Sequence, residues 1–502
     1  MKIRLSDRVA CVGGGLTFVL LLATTTAHAA INISTQATQN MSCLVGVCTA
    51  TAQKAYLNVN DVTNFLAAGD LKIVSGAGAE DIHIEAPFSW TSTSRLTLDA
   101  QRSIEFKKPV SVAGTGALTL VTNDGGSDGD YWFDEGASVS FWDTSSSLII
   151  NGQSFTLVKD IKTLAADIAA NPSGNYALAD YYDAGDDGTY VNSVVTTPLG
   201  GRFEGLGNTI SDLSITSNVA YEFVGMFSEV KNGAVVKNVG LSNGTLTANA
   251  NRIEAGLLIG QIDSGALLSA SHATGIVAGK GFVGGLVGGN LGTILRCSAD
   301  VNVTLEGHHA YDGGGLVGAN EATVIQSYAT GLVRGHGESS VGGLVGNNDG
   351  FVGNGTIVQS YSTGDVSRSN YYTGGLAGED IGAHFSEVYA LGLVSGRGYG
   401  HAGLVGSDLE GVFEKAYWDT TTTGQSTACN GTGVGDECDA TGLTDTQLKS
   451  ALPDGFDPKV WGQDANINNG YPYLLANPPP KNAPGKARLK SSRHSAHYAP
   501  HA

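Results

Sequence analysis

The chain has 502 residues, of which 71 are glycine and only 12 proline, so neither a collagen period nor a proline-rich disordered chain fits. Charged residues make up 15% and hydrophobic ones 41%, a composition that builds sheet more readily than helix. The net charge of −19 argues against a nucleic-acid partner, whose phosphates call for a basic face.

Residues 1–29 read as a secretory signal peptide. Lys2, Arg4 and Arg8 open the chain, an apolar run extends from Val9 to Ala23, and Ala27-His28-Ala29 forms an A-x-A cleavage site. The run is broken by Gly13-Gly14-Gly15 and is shorter than the ~20 residues of a membrane span. A secreted or cell-surface location follows. In an exported chain the close pairs Cys43/Cys48 and Cys429/Cys438 predict two small disulfide loops.

Residues 30–155 form an N-terminal β region of short runs such as Leu96-Thr97-Leu98-Asp99. Residues 156–200 hold a helical insertion and loop: Val158, Ile161, Leu164, Ala165 and Ile168 share one helical face that ends at Asn171-Pro172.

Between 201 and 420 the sequence repeats. Gly-Leu-Val-Gly units begin at Gly285, Gly315, Gly343 and Gly403, with a Gly-Leu-Ala-Gly copy at Gly375 and degenerate ones at Gly225 and Gly256. The spacing is about 30 residues, too short for a propeller blade. Each unit is followed by a second β-like run, for example Val324-Ile325-Gln326-Ser327-Tyr328-Ala329-Thr330. Such a unit cannot bury a face alone, whereas stacked coils bury a shared core, which predicts an all-β fold, a β-solenoid with short capping helices.

Strand alternation places Ile325, Ser327 and Ala329 inward, with Gln326, Tyr328 and Thr330 outward. Cys297 falls in the column of Ser271, Ser327 and Ser360, as a buried spacer. Tyr328, Tyr361, Tyr389 and Tyr417 align in one outward column, either an aromatic ladder or a sugar-binding strip, and are the candidate ligand-binding residues. Asn290, Asn320, Asn348, Asp380 and Asp408 align in the turn after each glycine unit. The asparagines are expected to form an inward hydrogen-bonded ladder, and the two aspartates to sit on a solvated edge because adjacent carboxylates repel.

Residues 421–476 are expected to form a C-terminal cap over the last coil. Thr444 and Gln447 have capping-box spacing, and Trp461 and Tyr471-Pro472-Tyr473-Leu474 supply apolar cover. Residues 477–502 read as a disordered basic tail.

The Gly-Gly-Leu-Val-Gly-x-Asn units resemble the GLUG motif of large bacterial surface proteins. Phe203-Glu204-Gly205-Leu206-Gly207-Asn208-Thr209-Ile210, with Leu213 and Ile215, resembles the segment before such repeats in filamentous-haemagglutinin-like proteins. Tyr417-Trp418-Asp419-Thr420 and Gly455-Phe456-Asp457-Pro458 to Trp461 are similar to their closing segments. The resemblance implies a right-handed parallel β-helix exported for adhesion or surface display. The implied partners are a host or neighbouring cell surface, a glycan or matrix, and an outer-membrane secretion partner, although no NPNG-like secretion signature occurs in the sequence. GLUG units also occur in immunoglobulin-A-cleaving peptidases, whose His-Glu-x-x-His motif this sequence does not contain.

Other motif matches are accounted for by the repeat. Gly313 to Gly318 matches G-x-G-x-x-G but is one copy of the glycine unit, and Gly240 to Gly244 matches G-x-S-x-G without a helix to follow. Asp186-Asp187 and His336 lie on the order of five coils apart, ~24 Å along the axis, whereas glycoside cleavage needs carboxylates within ~5–10 Å. The acidic stretches at Asp124–Glu135 and Asp183–Asp187 read as solvated loops. These readings give the expectation of a non-enzymatic, adhesin-like protein with no metal and no cofactor, the alternatives being a polysaccharide lyase or hydrolase and a passive spacer.

Overall fold

The computed structural model describes residues 29–76, 78–307, 311–350, 354–396, 398–431 and 438–481. The expected signal peptide, apart from Ala29, and the basic tail beyond Lys481 lie outside the described residues.

The fold is an all-β solenoid. Coil-to-coil pairing is parallel and in register from Leu71–Val74 through Arg95–Asp99 and Ala117–Val121 to Ser147–Ile150, so the N-terminal β region coils as the repeats do. Two cores run through it. One holds Ile33, Leu57, Leu98, Phe106 and Phe141, and the other continues through the repeats with Leu286, Leu316, Leu344, Leu376 and Leu404.

Helix α1 (Val59–Ala68) was not legible in the sequence. It buries Val59, Val62 and Leu66, and its N-cap Asn58 accepts from the Asn60 N–H at 2.8 Å. Helix α2 (Ile161–Ala170) occupies the expected apolar period, burying Ile161, Leu164 and Ile168 behind an Asp160 cap. Helix α3 (Asp445–Ser450) carries the Thr444–Gln447 capping box.

Within each repeat a strand ends on the glycine pair, the chain bends, and a second strand begins at the valine. These second strands stack into one eight-stranded sheet from Phe227–Val230 to Cys429–Gly431. The bend explains the glycines. A β-carbon on Gly314 would stand 2.0 Å from the Val317 carbonyl oxygen, and one on Gly342 would stand 2.0 Å from that of Val345. Backbone meets backbone there, and no side chain fits.

A corner follows the next short strand. Arg296, Gln326, Gln359, Glu387 and Lys415 all turn it with φ between 48° and 55°. A residue in that left-handed region resets the inside–outside alternation. Val324 and Ser327 therefore both point inward with no exposed surface, and Ile325 is half-buried, a correction to the inward position expected of it. The corner side chains chain together, Arg296 Nε donating to Gln326 Oε1 at 3.1 Å and Gln326 Nε2 to Gln359 Oε1 at 2.9 Å.

Disulfides join Cys43 to Cys48 across a β-hairpin and Cys429 to Cys438 beside the last coil. Cys297 is the buried free thiol among the described residues, and burial pushes it up to about 12. In the native protein Cys297 should resist iodoacetamide near neutral pH and react only on unfolding. Rapid native labelling counted by mass would contradict that burial.

Candidate functional site

The tyrosine column is formed as an aromatic ladder. Tyr328, Tyr361, Tyr389 and Tyr417 pair in register coil to coil. Their rings stack at 4.9 Å between Tyr328 and Tyr361 and at 4.8 Å between Tyr361 and Tyr389, within 8° of parallel. They do point out of the solenoid, yet none is exposed beyond 8%. The reason lies past the last coil. The segment 443–477 does not sit on the solenoid end but folds back along its flank, packing Leu448, Phe456, Trp461 and Leu474 against the rings.

Polar contacts pin this strap. Tyr389 Oη donates to the Pro472 carbonyl at 2.5 Å, and Tyr417 Oη to that of Asp454 at 2.7 Å. Trp461 Nε1 donates to Glu387 Oε2 at 3.1 Å. Asn477 Nδ2 reaches the carbonyls of Cys297 and Gln326, each at 3.1 Å. The sugar-binding strip is thus corrected: the four tyrosines are a packing surface with no face left for a ligand. Alternation gave their direction, and a partner distant in sequence decided their exposure.

The asparagine column is a true ladder. Asn290 Nδ2 donates to Asn320 Oδ1 and Asn320 Nδ2 to Asn348 Oδ1, both at 2.7 Å, with all three residues at or below 1% exposure. Asp380 and Asp408 continue the same register. They are 0% and 3% exposed, a correction to the solvated edge expected of them.

Two features face solvent beside the glycine bend. The first is a cavity of about 300 Å³ lined by Glu254, Phe282, Glu321, Asn347 and Asp349. Burial, together with neighbouring carboxylates, lifts Glu254 to about 7 and, nearby along the bend, Asp312 also to about 7. The second is an aromatic edge on the loops that precede the glycine pairs. Tyr399 is 84% exposed and Tyr371 36%. Their rings meet edge-on at 5.5 Å, and Tyr372 stands edge-on to Tyr371 at 5.4 Å. The loops are held: the Tyr371 N–H donates to Ser369 Oγ at 2.9 Å, and its carbonyl accepts from Gly400 at 3.2 Å. Earlier on this edge the Arg252 guanidinium lies over both Tyr221 and Tyr311, and Nε donates to Tyr311 Oη at 2.7 Å.

The acidic stretches are engaged within the fold. Asp187 accepts from Lys162, Tyr182 and Tyr190 at 2.6–2.7 Å, and Asp130 pairs with Lys237. Among the described residues no three His, Cys, Asp or Glu side chains come together as a metal site.

No family model matches the chain. It is 28% identical over 232 residues to an immunoglobulin A1 protease of Streptococcus pneumoniae, which spans 43% of this chain and 11% of that protein. It is 38% identical over 193 residues to halomucin of Haloquadratum walsbyi, spanning 38% of this chain and 2% of that protein. Among solved structures it is similar to a candidate immunoglobulin A1 protease from Bacteroides ovatus, with a TM-score of 0.40 and 16% identity over 64% of this chain and 92% of that one. The chain therefore spans a small part of the length of the curated relatives it matches. The expectation of a non-enzymatic protein is corrected by these matches, since relatives aligned with more than two-fifths of the chain carry the name of a protease.

Proposed function

We propose that this protein is an exported, surface-displayed β-solenoid that holds a glycan on a cell or matrix through the aromatic edge at Tyr371, Tyr372 and Tyr399. The observation that carries the reading is the exposure of two tyrosine rings, set edge-on to one another on loops fixed by hydrogen bonds. Such rings offer an apolar face to a sugar and a hydroxyl to its rim. Two disulfides suit folding in an oxidising compartment, which supports export. The relatives named for halomucin and for immunoglobulin A1 proteases support the same placement.

The test is a glycan-array and cell-binding comparison of the parent with Tyr371→Ala and Tyr399→Ala. Each ring should account for about 0.5–1.5 kcal/mol, roughly a two- to tenfold loss in affinity. Unchanged binding in the double variant would remove the edge from consideration. A second reading, favoured by the relatives' name, gives the chain a part in immunoglobulin A1 cleavage. Fragments of immunoglobulin A1 after incubation with the purified protein would support it.

A further inference from the structure

Every hydrogen bond in the asparagine ladder points the same way. The Gly292 N–H donates to Asn290 Oδ1 at 3.1 Å, Asn290 donates to Asn320, and Asn320 donates to Asn348. Asn348 therefore presents its own amide Nδ2 to the next position in register, Asp380, and that Nδ2 is buried without a partner. Both oxygens of Asp380 are likewise buried and unpartnered. From the far end the Gly411 N–H donates to Asp408 Oδ1 at 3.1 Å. The two carboxyl groups meet over Gly411: a β-carbon there would stand 2.2 Å from Asp380 Oδ2 and 2.7 Å from Asp408 Oδ1.

Donors thus converge from both ends on two acceptors, and the charges bearing on Asp380 are the carboxylates of Asp408 and Asp349. The Phe413 ring closes the other side. Two adjacent buried carboxylates cannot both ionise at low cost.

We infer that Asp380 and Asp408 hold one proton between them, and that this proton completes a continuous hydrogen-bonded ladder from Gly292 to Gly411 and makes its last two rungs sensitive to alkali. The proton supplies the missing donor between the carboxyl groups, leaving the second Asp380 oxygen to accept from Asn348. The pair then carries one negative charge instead of two.

Burial and the Asp408 charge hold Asp380 up, to about 9, against about 3.9 in an unfolded chain. With the folded value raised, the folded state binds more protons through that window. Stability is greatest below about pH 4, falls as pH rises, and is fully lost as a proton-linked contribution above about pH 9.

The experiment measures thermal midpoints of the full chain from acid to alkaline pH for the parent, Asp380→Asn and Asp408→Asn. It adds the ¹³Cγ titration of the parent's aspartates. Asn at 380 supplies the donor permanently, so its midpoint should lose the parent's alkaline decline, and Asp408→Asn should do the same. In the parent one aspartate signal should titrate far above the carboxylate range. An unaltered pH profile in both variants would overturn the inference. So would a parent spectrum with every aspartate titrating below about pH 5, which decides the matter even where a variant fails to fold.

Discussion

Replacing Trp461 with alanine should destabilise the strap by about 3–5 kcal/mol, the range for deleting a buried aromatic ring. The side chain is 1% exposed. It stacks on Phe456 at 4.5 Å and packs against Tyr389 and Tyr361 at 5.8 and 6.1 Å. Its removal also takes one donor from Glu387 Oε2, which keeps the Asp457 N–H at 3.0 Å. Because a solenoid unfolds in nearest-neighbour units, the loss should appear as early melting of the strap ahead of the coils. Limited chymotrypsin digestion should then cut at the uncovered tyrosines. Parent-like protease resistance and an unchanged melting curve would show that the strap gains little from this ring.

Asn320→Ala should cost about 1–3 kcal/mol, the penalty for leaving buried polar partners unpaired. Asn320 accepts from Asn290 and donates to both Asn348 Oδ1 and the Ala322 carbonyl. Alanine leaves the Asn348 oxygen with no donor in a fully buried place and leaves Asn290 only a long 3.4 Å bond to the Thr323 carbonyl. Asn320→Asp should cost more, since it removes both donors and buries a charge. Chemical denaturation of the two variants against the parent decides it, and an Asn320→Ala chain as stable as the parent would deny the ladder any part in holding the coils.

The coil and its ladders were legible because a repeat makes each residue type report the same position several times. Gly285, Gly315 and Gly343 mark a bend that no β-carbon can enter, and Asn290, Asn320 and Asn348 mark a turn stacked on itself. The corner was not legible. Its left-handed positions are filled by Arg296, Gln326, Gln359, Glu387 and Lys415, types with no preference for that region, so Ile325 read as inward.

The fate of Asp380 and Asp408 was missed because a repulsion argument assumes that both are charged, and a shared proton removes the premise. The tyrosine strip failed for another reason. Tyr328 and Asn477 are far apart in sequence, and no local pattern announces that one segment will cover the other. The exposed pair Tyr371 and Tyr399 carried a weak signal, as aromatics in glycine- and serine-rich loops outside the aligned columns.

The strap also orders events during synthesis. Each coil can stack as soon as its predecessor is in place, but Tyr361 and Tyr389 remain wet until Phe456, Trp461 and Pro472 have emerged. The final tether, Asn477, reaches back past the intervening coils to Cys297. A chain interrupted before Gly455 would carry a nearly finished solenoid with a greasy seam along its side. That seam distinguishes truncated from complete molecules, and it is the kind of surface that quality-control proteases and chaperones recognise.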